Sequence, residues 1–240
     1  MLSNGVRSSL DVRRISIVMP VLNEAPSIEQ ALRTLQPVRT SGHEVIVVDG
    51  GSTDGSALLA ASLADRVLGT ERGRAIQMNR GARWARGDVL LFLHADTSLP
   101  ERAPQLILEE MARTRCRWGR FDVRIDSTRW LLRIVGALMN LRSRLTGICT
   151  GDQAIFVSRQ LFLGVGGFPP IALMEDIALS RQLRRTSRPL CVATAVRTSA
   201  RRWERDGVVR TIALMWWLRM RYFLGASPAQ LARIYDGRSP

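Results

Sequence analysis

Nine residues, Asp88 to Asp96, constrain this chain more than any other stretch. They read Asp-Val-Leu-Leu-Phe-Leu-His-Ala-Asp. An unbroken apolar run of strand length, entered at Gly87-Asp88 and left at Leu99-Pro100, predicts a strand covered on both faces. Such a strand belongs inside a parallel sheet, and α/β proteins place ligands at the carboxyl ends of these strands. His94 and Asp96 are therefore expected in a crevice, with Asp96 a candidate oxygen ligand for a divalent cation. Aspartate also opens turns, and Pro100 follows closely, so the rest of the chain must decide between the two readings.

The preceding sequence repeats the pattern. Ile15 to Val21 is a short apolar strand running into Pro20, Asn23 and Glu24. A helix follows Pro26 with Ile28, Ala31, Leu32 and Leu35 on one face. Glu44 to Asp49 is a second buried strand, Ser56 to Ala64 a helix, Arg66 to Leu68 a strand and Arg74 to Arg86 a helix. This alternation predicts an α/β sheet. Beyond Pro100 the order changes to α+β. Helices are expected at Ala103–Arg113, Trp130–Leu145, Ile177–Arg185, Val208–Leu224 and from Pro228, and strands at Trp118–Ile125, Asp152–Val157 and Leu190–Val196. Residues 1–14 read as a polar lead-in without the apolar stretch of a signal peptide. Residues 15–200 form one domain, divided into 15–99 and 100–200, and 201–240 form a C-terminal helical segment.

The net charge of +14 is carried entirely by arginine, which implies attraction to anions such as phosphates or anionic lipid. Aromatic residues make up 6% of the chain, a poor match to a surface that stacks single-stranded nucleic acid. Cys116, Cys149 and Cys191 are isolated, which disfavours a zinc ribbon or redox pair and fits a reducing, cytoplasmic setting. No run approaches the ~20 apolar residues that cross a bilayer. Val208 to Leu224 is rich in tryptophan and arginine, so it suits either a membrane interface or packing on the domain.

Three further motifs carry chemistry. Asp49-Gly50-Gly51-Ser52-Thr53-Asp54-Gly55 again sets a carboxylate at a strand end, where it can accept hydrogen bonds from a base or ribose. Asp54 also suits a helix cap there. Arg72-Gly73-Arg74 opens a helix, a place that suits a diphosphate, although a solvated arginine pair fits too. Glu175-Asp176 begins another helix, where carboxylates either complement the dipole or hold a general base against a cleft.

Together these motifs resemble the inverting glycosyltransferases of family 2, over about Ile15 to Leu183. Pro20-Val21-Leu22-Asn23-Glu24, Asp49 to Asp54, Gly73-Arg74 with Asn79 and Gly81, His94-Ala95-Asp96 and Glu175-Asp176 follow that family's order. The resemblance is closest to the bacterial branch of radical-SAM- and selenodomain-associated transferases and carotenoid-acid glycosyltransferases. It implies a GT-A fold, a Rossmann-like arrangement with a mixed central sheet and C-terminal helices. It also implies a nucleotide-sugar donor, a uridine-diphosphate sugar, and Mg²⁺ or Mn²⁺ bound through Asp96.

Residue by residue, the resemblance sets Pro20, Glu24, Asp49, Gly50, Ser52, Asp54, Gly73, Arg74, Asn79, His94, Ala95 and Asp96 around the donor, with Asp49 on a uracil-like base. Asp176, beside Glu175, becomes the base that deprotonates the acceptor. Gly151-Asp152-Gln153 and Gly166-Gly167 shape the acceptor site. Arg202-Trp203 matches the end of the Gln-x-x-Arg-Trp motif of processive members on the donor side, but Ser199 stands in place of its glutamine. His94 likewise replaces the first aspartate of Asp-x-Asp, leaving one sure carboxylate for the metal. The expected acceptor is a lipid or lipid-linked molecule, reached by peripheral contact at the inner face of the plasma membrane. Two readings compete. A nucleotidyltransferase would want a glycine-rich loop where Pro20 to Glu24 stand. A non-catalytic basic protein on membrane or nucleic acid would gain nothing from acidic strand ends.

Overall fold

The structure is a computed structural model and describes residues 14–235 and 237, so the expected lead-in lies outside it apart from Arg14. Its first half comprises β1 (Ile15–Val21), α1 (Ala25–Thr34), α2 (Gln36–Thr40), β2 (Glu44–Asp49), α3 (Ser56–Ala61), β3 (Arg66–Gly69), α4 (Arg74–Trp84) and β4 (Val89–Phe92). Then follow β5 (Thr97–Ser98), α5 (Ala103–Thr114), β6 (Trp118–Asp126), α6 (Trp130–Thr146), β7 (Phe156–Ser158), α7 (Arg159–Gly164) and α8 (Glu175–Leu183). The last elements are β8 (Leu190–Ser199), α9 (Arg201–Asp206), α10 (Val208–Phe223) and α11 (Pro228–Tyr235).

The eight strands form one mixed sheet in the order β3-β2-β1-β4-β7-β6-β8-β5. β1, β2, β3 and β4 run parallel, with Val21 opposite Asp49 and Val18 opposite Phe92. β7 is antiparallel to both β4 and β6. β4 is thus the seam between a parallel half and a mixed half. Every residue of β2 and β4 is buried, because helices cover both faces of the sheet. Ile17, Met19, Val45, Val47, Val89 and Leu91 join the core under α1 and α5. Val18, Ile46, Val48, Leu90 and Phe92 alternate with them and pack on Ala75, Met78 and Ala82 of α4. Two smaller clusters attach the C-terminal helices. Leu132 and Val135 of α6 meet Val208 and Ile212 of α10, and Ile148, Met174 and Ile177 meet Leu218 and Leu231.

Two expected strands are shorter than the sequence suggested. The Asp88–Asp96 run is a strand only to Phe92. The chain then turns, with the Thr97 N–H donating to the His94 carbonyl at 3.1 Å, and pairs again as β5 against β8. Asp152 to Ala154 does not extend β7. Gly151–Gln153 is a 3-10 turn, capped by reciprocal bonds between Thr150 and Gln153, and Ala154 adopts φ +46. The polar partners of that turn outweigh any strand propensity. The short helices α2, α7 and α9 have no periodicity long enough to read from the sequence.

Candidate active site

The parallel strands carry two loops to the carboxyl edge of the sheet, and their polar groups knit them together. After β1, the Asn23 N–H donates to Ser52 Oγ at 2.9 Å, and Asn23 Oδ1 accepts from the Thr53 N–H at 2.9 Å. Asp54 accepts from the Ala25 N–H at 2.9 Å through one oxygen and from the Ser56 N–H at 3.0 Å through the other. These bonds, with the Ser56 hydroxyl first, hold its carboxyl below the ordinary value. Asp54 is therefore committed to joining the loops, while the N-cap position of α3 itself is Gly55. Behind them, the buried amide of Gln77 donates to the carbonyls of Val21 and Val48, both at 2.8 Å. It fixes the ends of β1 and β2 relative to each other and lies directly under Gly50.

Asp49 stands on this edge, buried. Its Oδ2 accepts from the Gly51 and Ser52 N–H groups at 3.0 and 2.9 Å. Its Oδ1 is buried with no partner among the described residues. An unpartnered buried carboxylate oxygen is costly unless a ligand donor meets it.

A second grouping forms where β4 ends. His94 Nδ1 lies 3.7 Å from Asp152 Oδ1. The imidazole lies over the backbone of Gly151, where a Cβ would come within 2.6 Å of the ring, so only glycine fits. The Gly151 N–H in turn donates to Asp176 Oδ2 at 2.9 Å, and the Ile177 N–H donates to Asp176 Oδ1 at 2.7 Å. Met174, at φ +69, turns the chain so that Glu175 and Asp176 open α8. Glu175 is buried, and burial together with the neighbouring Asp176 pushes its carboxyl up to about 7. Partial burial works against ionisation of Asp152, but His94 and then Arg74 overcome it and hold that carboxyl below the ordinary value. Arg74, at the start of α4, stands in the same field. Its side chain is exposed, so desolvation opposes its charge only in part, and Tyr235, Glu175, Asp152 and Asp176 raise its pKa.

Asp96 follows this grouping by two residues. Its Oδ1 accepts a long 3.3 Å bond from the Thr97 hydroxyl, and its carbonyl accepts from the Ser199 N–H. Together with Ala95, Asp126, Arg197 and Arg201 it lines a cleft of about 390 Å³ between α1 and β8. Asp49 and Asp176 do not line that cleft. The His94-Ala95-Asp96 turn therefore joins two groupings: Asp152, Glu175 and Asp176 on one side, and Asp96 with its arginines on the other. No cluster of three acidic, histidine or cysteine side chains able to cage a metal occurs among the described residues.

The remaining expected residues have internal work. Glu24 takes an ion pair from Arg201 at 3.1 Å and a hydrogen bond from Ser27 at 2.8 Å. Arg202 stacks 3.6 Å from the Tyr235 ring and reaches the Tyr235 carbonyl, while Trp203 packs with α6 and α10. The side chain at the Glu24 edge is thus Arg201, one position before the expected one. Asn79 brackets Phe168 through its N–H and carbonyl at 2.9 and 2.8 Å, and a Cβ on Gly167 would collide with the Asn79 amide. Gly166, also left-handed at φ +85, completes that loop. Gln153 is fully buried, bonding Ser143 Oγ and the Thr150 N–H. Pro20 is half-buried opposite Val48, and Gly73 precedes α4 at φ +149. Sequence reasoning missed Gln77, although a lone amide among Ala75, Met78 and Ala82 on the buried side of α4 was its available signal. It also missed Arg142 and Arg219, which resemble any other arginine of an arginine-rich chain.

A sheet that changes from parallel to mixed at β4, with carboxylates gathered on its carboxyl edge, is the GT-A fold of nucleotide-sugar transferases. Staphylococcus aureus TarS 1–349 in complex with UDP shares it at TM-score 0.65 and 17% identity, over 78% of this chain and 60% of that one. A mannosyltransferase from Pyrobaculum calidifontis, in complex with GDP-Man and Mn²⁺, shares it at TM-score 0.58 and 23% identity, over 80% and 60%. The chain itself belongs to glycosyl transferase family 2, whose model matches residues 16–158. A PGL/p-HBAD biosynthesis glycosyltransferase of Mycobacterium bovis is 32% identical over 64% of this chain and 62% of its own length. An undecaprenyl-phosphate 4-deoxy-4-formamido-L-arabinose transferase of Pseudomonas fluorescens is 35% identical over 40% of this chain and 32% of its own. The chain therefore spans less than two thirds of the length of either relative.

Proposed function

We propose that the chain is an inverting glycosyltransferase that moves a sugar from a uridine-diphosphate sugar to an acceptor hydroxyl, with Asp176 as the base. The observation that carries this reading is the convergence of His94, Gly151, Asp152, Glu175 and Asp176 at the end of β4, beside strands whose Asp49 keeps an open acceptor oxygen. Residues 15–99 form the nucleotide half and 100–200 the acceptor half. Asp49 Oδ1 accepts the imide N–H of the base. Arg74 faces the diphosphate from the N-terminus of α4.

Asp176 is held by two backbone donors, yet each carboxylate oxygen keeps a lone pair for an incoming proton. The acceptor oxygen attacks the anomeric carbon from the face opposite the diphosphate, and its proton passes to Asp176. The bond from the anomeric carbon to the phosphate oxygen breaks with its electrons on the leaving group. A protonated Glu175 removes one of two adjacent negative charges from beside the base. His94, aligned by Asp152, lies over the Gly151 amide that positions Asp176.

The residues fit a divalent cation that arrives with its diphosphate. Asp96 is accessible and lightly bonded, no complete cage accompanies it, and Mg²⁺ characteristically takes one or two carboxylates plus phosphate oxygens and water. Held there through Asp96, Mg²⁺ or Mn²⁺ would neutralise charge on the departing diphosphate. The structures solved with Mn²⁺ support this choice.

A lipid-linked acceptor is supported by the undecaprenyl-phosphate relative and by two apolar helix faces. Trp130, Ile134, Leu138, Leu141 and Leu145 line one side of α6 in the open, and Trp216, Met220 and Phe223 do so on α10. Arg133, Arg210 and Arg221 beside them suit contact with an anionic leaflet, here the inner face of the plasma membrane. No helix among the described residues is long and apolar enough to cross a membrane.

The test is Asp176→Asn. Nucleotide-sugar binding, found first by a thermal-shift screen with Mn²⁺, is expected to persist while transfer falls at least about 1,000-fold. Normal turnover by this variant would remove Asp176 from the role of base.

A further inference from the structure

Arg142 is a charged side chain whose surroundings do not explain it. Its Nε and Nη2 atoms are buried and have no hydrogen-bond partner among the described residues. Buried guanidinium donors are ordinarily satisfied, most strongly by carboxylate or phosphate oxygens in a fork.

The position of Arg142 shows what it faces. Val135, Met139 and Arg142 recur at i, i+4 and i+7 on α6, one face of the helix. Val135 and Met139 pack with Val208 and Ile212 of α10. On α10, Val208, Ile212 and Arg219 form the matching stripe. Arg142 continues the first stripe and Arg219 the second, and the two guanidiniums lie close enough for their charges to interact. Leu218, next to Arg219, packs on Met174 and Ile177, the residues that flank Glu175 and Asp176. Arg142 lies one turn before the end of α6, from which the chain runs into Gly151 and Asp152. The pair thus borders the base.

Their charges register each other. Burial and then Arg219 lower the pKa of Arg142 to about 10, against the pull of Asp176 and Asp152. Burial also lowers that of Arg219. Neither side chain makes an ion pair or hydrogen bond among the described residues. Two partly desolvated cations within range of each other's charge are stabilised when an anion lies between them.

We propose that Arg142 and Arg219 form an oxyanion subsite that binds a phosphate monoester carried by the acceptor, beside Asp176. The inference rests on the transferase reading above and extends it to the acceptor's chemistry. A phosphate in this place orients the acceptor and sets its nucleophilic oxygen against the base. The exposed apolar faces of α6 and α10 flank the subsite, so the phosphate can come from an amphiphile or from a small soluble molecule.

The test uses the full chain saturated with UDP and Mn²⁺, so that the donor site is filled. Farnesyl phosphate, glycerol 3-phosphate, inorganic phosphate and farnesol are titrated by calorimetry. Farnesyl phosphate or glycerol 3-phosphate is expected to bind more tightly than farnesol. Arg142→Gln and Arg219→Gln should each weaken that binding about tenfold or more and leave UDP affinity unchanged. Tighter binding of farnesyl phosphate than of glycerol 3-phosphate identifies an amphiphilic source, and equal binding identifies a soluble one. Binding of no phosphate probe, or binding that ignores both substitutions, overturns the subsite.

Stability supplies an independent readout. Arg142→Met removes a cation that has no partner, so its melting temperature should match or exceed that of the parent. A clear fall would make Arg142 a structural residue and refute the proposal. If the parent chain fails to bind UDP, the donor reading fails instead. The phosphate titration on the nucleotide-free protein then still decides the subsite.

Discussion

Replacing Glu175 by glutamine isolates the cost of burying a carboxylate beside Asp176. In the folded chain this carboxyl moves from 4.5 to about 7, through burial first and Asp176 second. The folded state therefore binds the Glu175 proton more tightly than the unfolded state does. Stability contributed by the protonated group is fully present below pH 4.5 and is lost as pH rises through about 7. The displacement corresponds to on the order of 3 kcal/mol, and the side chain is too buried for solvent to screen much of it. Glutamine has the shape of the protonated acid and never ionises. The stability of Glu175→Gln relative to the parent should thus rise by up to about 3 kcal/mol between pH 4.5 and pH 8. Urea denaturation of both proteins across that range measures the difference. A gap that stays constant with pH, or one that narrows as pH rises, would refute a proton held on Glu175. Adding Asp176→Asn should shrink the effect, since it removes the second cause.

Other substitutions probe the remaining geometry. Asp49→Ala removes the open carboxylate oxygen and should weaken UDP binding about 10- to 100-fold by calorimetry, in keeping with the loss of one charge-assisted hydrogen bond; an unchanged Kd would exclude Asp49 from the base pocket. Asp96→Ala should abolish the dependence of UDP binding on Mn²⁺, and undiminished Mn²⁺ enhancement would place the cation elsewhere. Gly151→Ala sets a methyl 2.6 Å from the His94 ring, so the imidazole must leave Asp152. Transfer should fall about 100-fold with UDP affinity preserved, as expected when a positioning contact shifts by about an ångström. Full activity in that variant would show that the His94 placement is dispensable.

Much of residues 15–99 is legible in the sequence, because the signals there are local. Val-Val-Asp after a buried run, and Leu-Leu-Phe-Leu before His-Ala-Asp, place β2 with its terminal Asp49, and β4 with Asp96 in the turn beyond it, without knowledge of any partner strand. The reading overran at Asp152, where the Thr150–Gln153 turn ends the strand. It could not show that Asp152 faces His94, 58 positions earlier, because no short window of sequence contains both. The same holds for Asp54, whose carboxylate serves Ala25 and Ser56, and for Asn79, which closes on Phe168.

Short-range pattern alone, read as apolar periodicity and acidic strand ends, determined the α/β class and the candidate acids Asp49 and Asp96, whereas Asp176 became a candidate base only through the resemblance to family 2 transferases. Only tertiary structure could decide which polar atoms are spent internally and which are left open. Gln77, Gln153 and Asn79 carry the same kinds of group as a binding residue, but their hydrogen bonds close inside the protein. Asp49 Oδ1 and the Nε and Nη2 of Arg142 look unexceptional in the sequence, yet they are buried without a partner among the described residues. Satisfaction of a hydrogen bond is a property of pairs brought together by folding, whereas hydrophobic alternation is a property of neighbours along the chain.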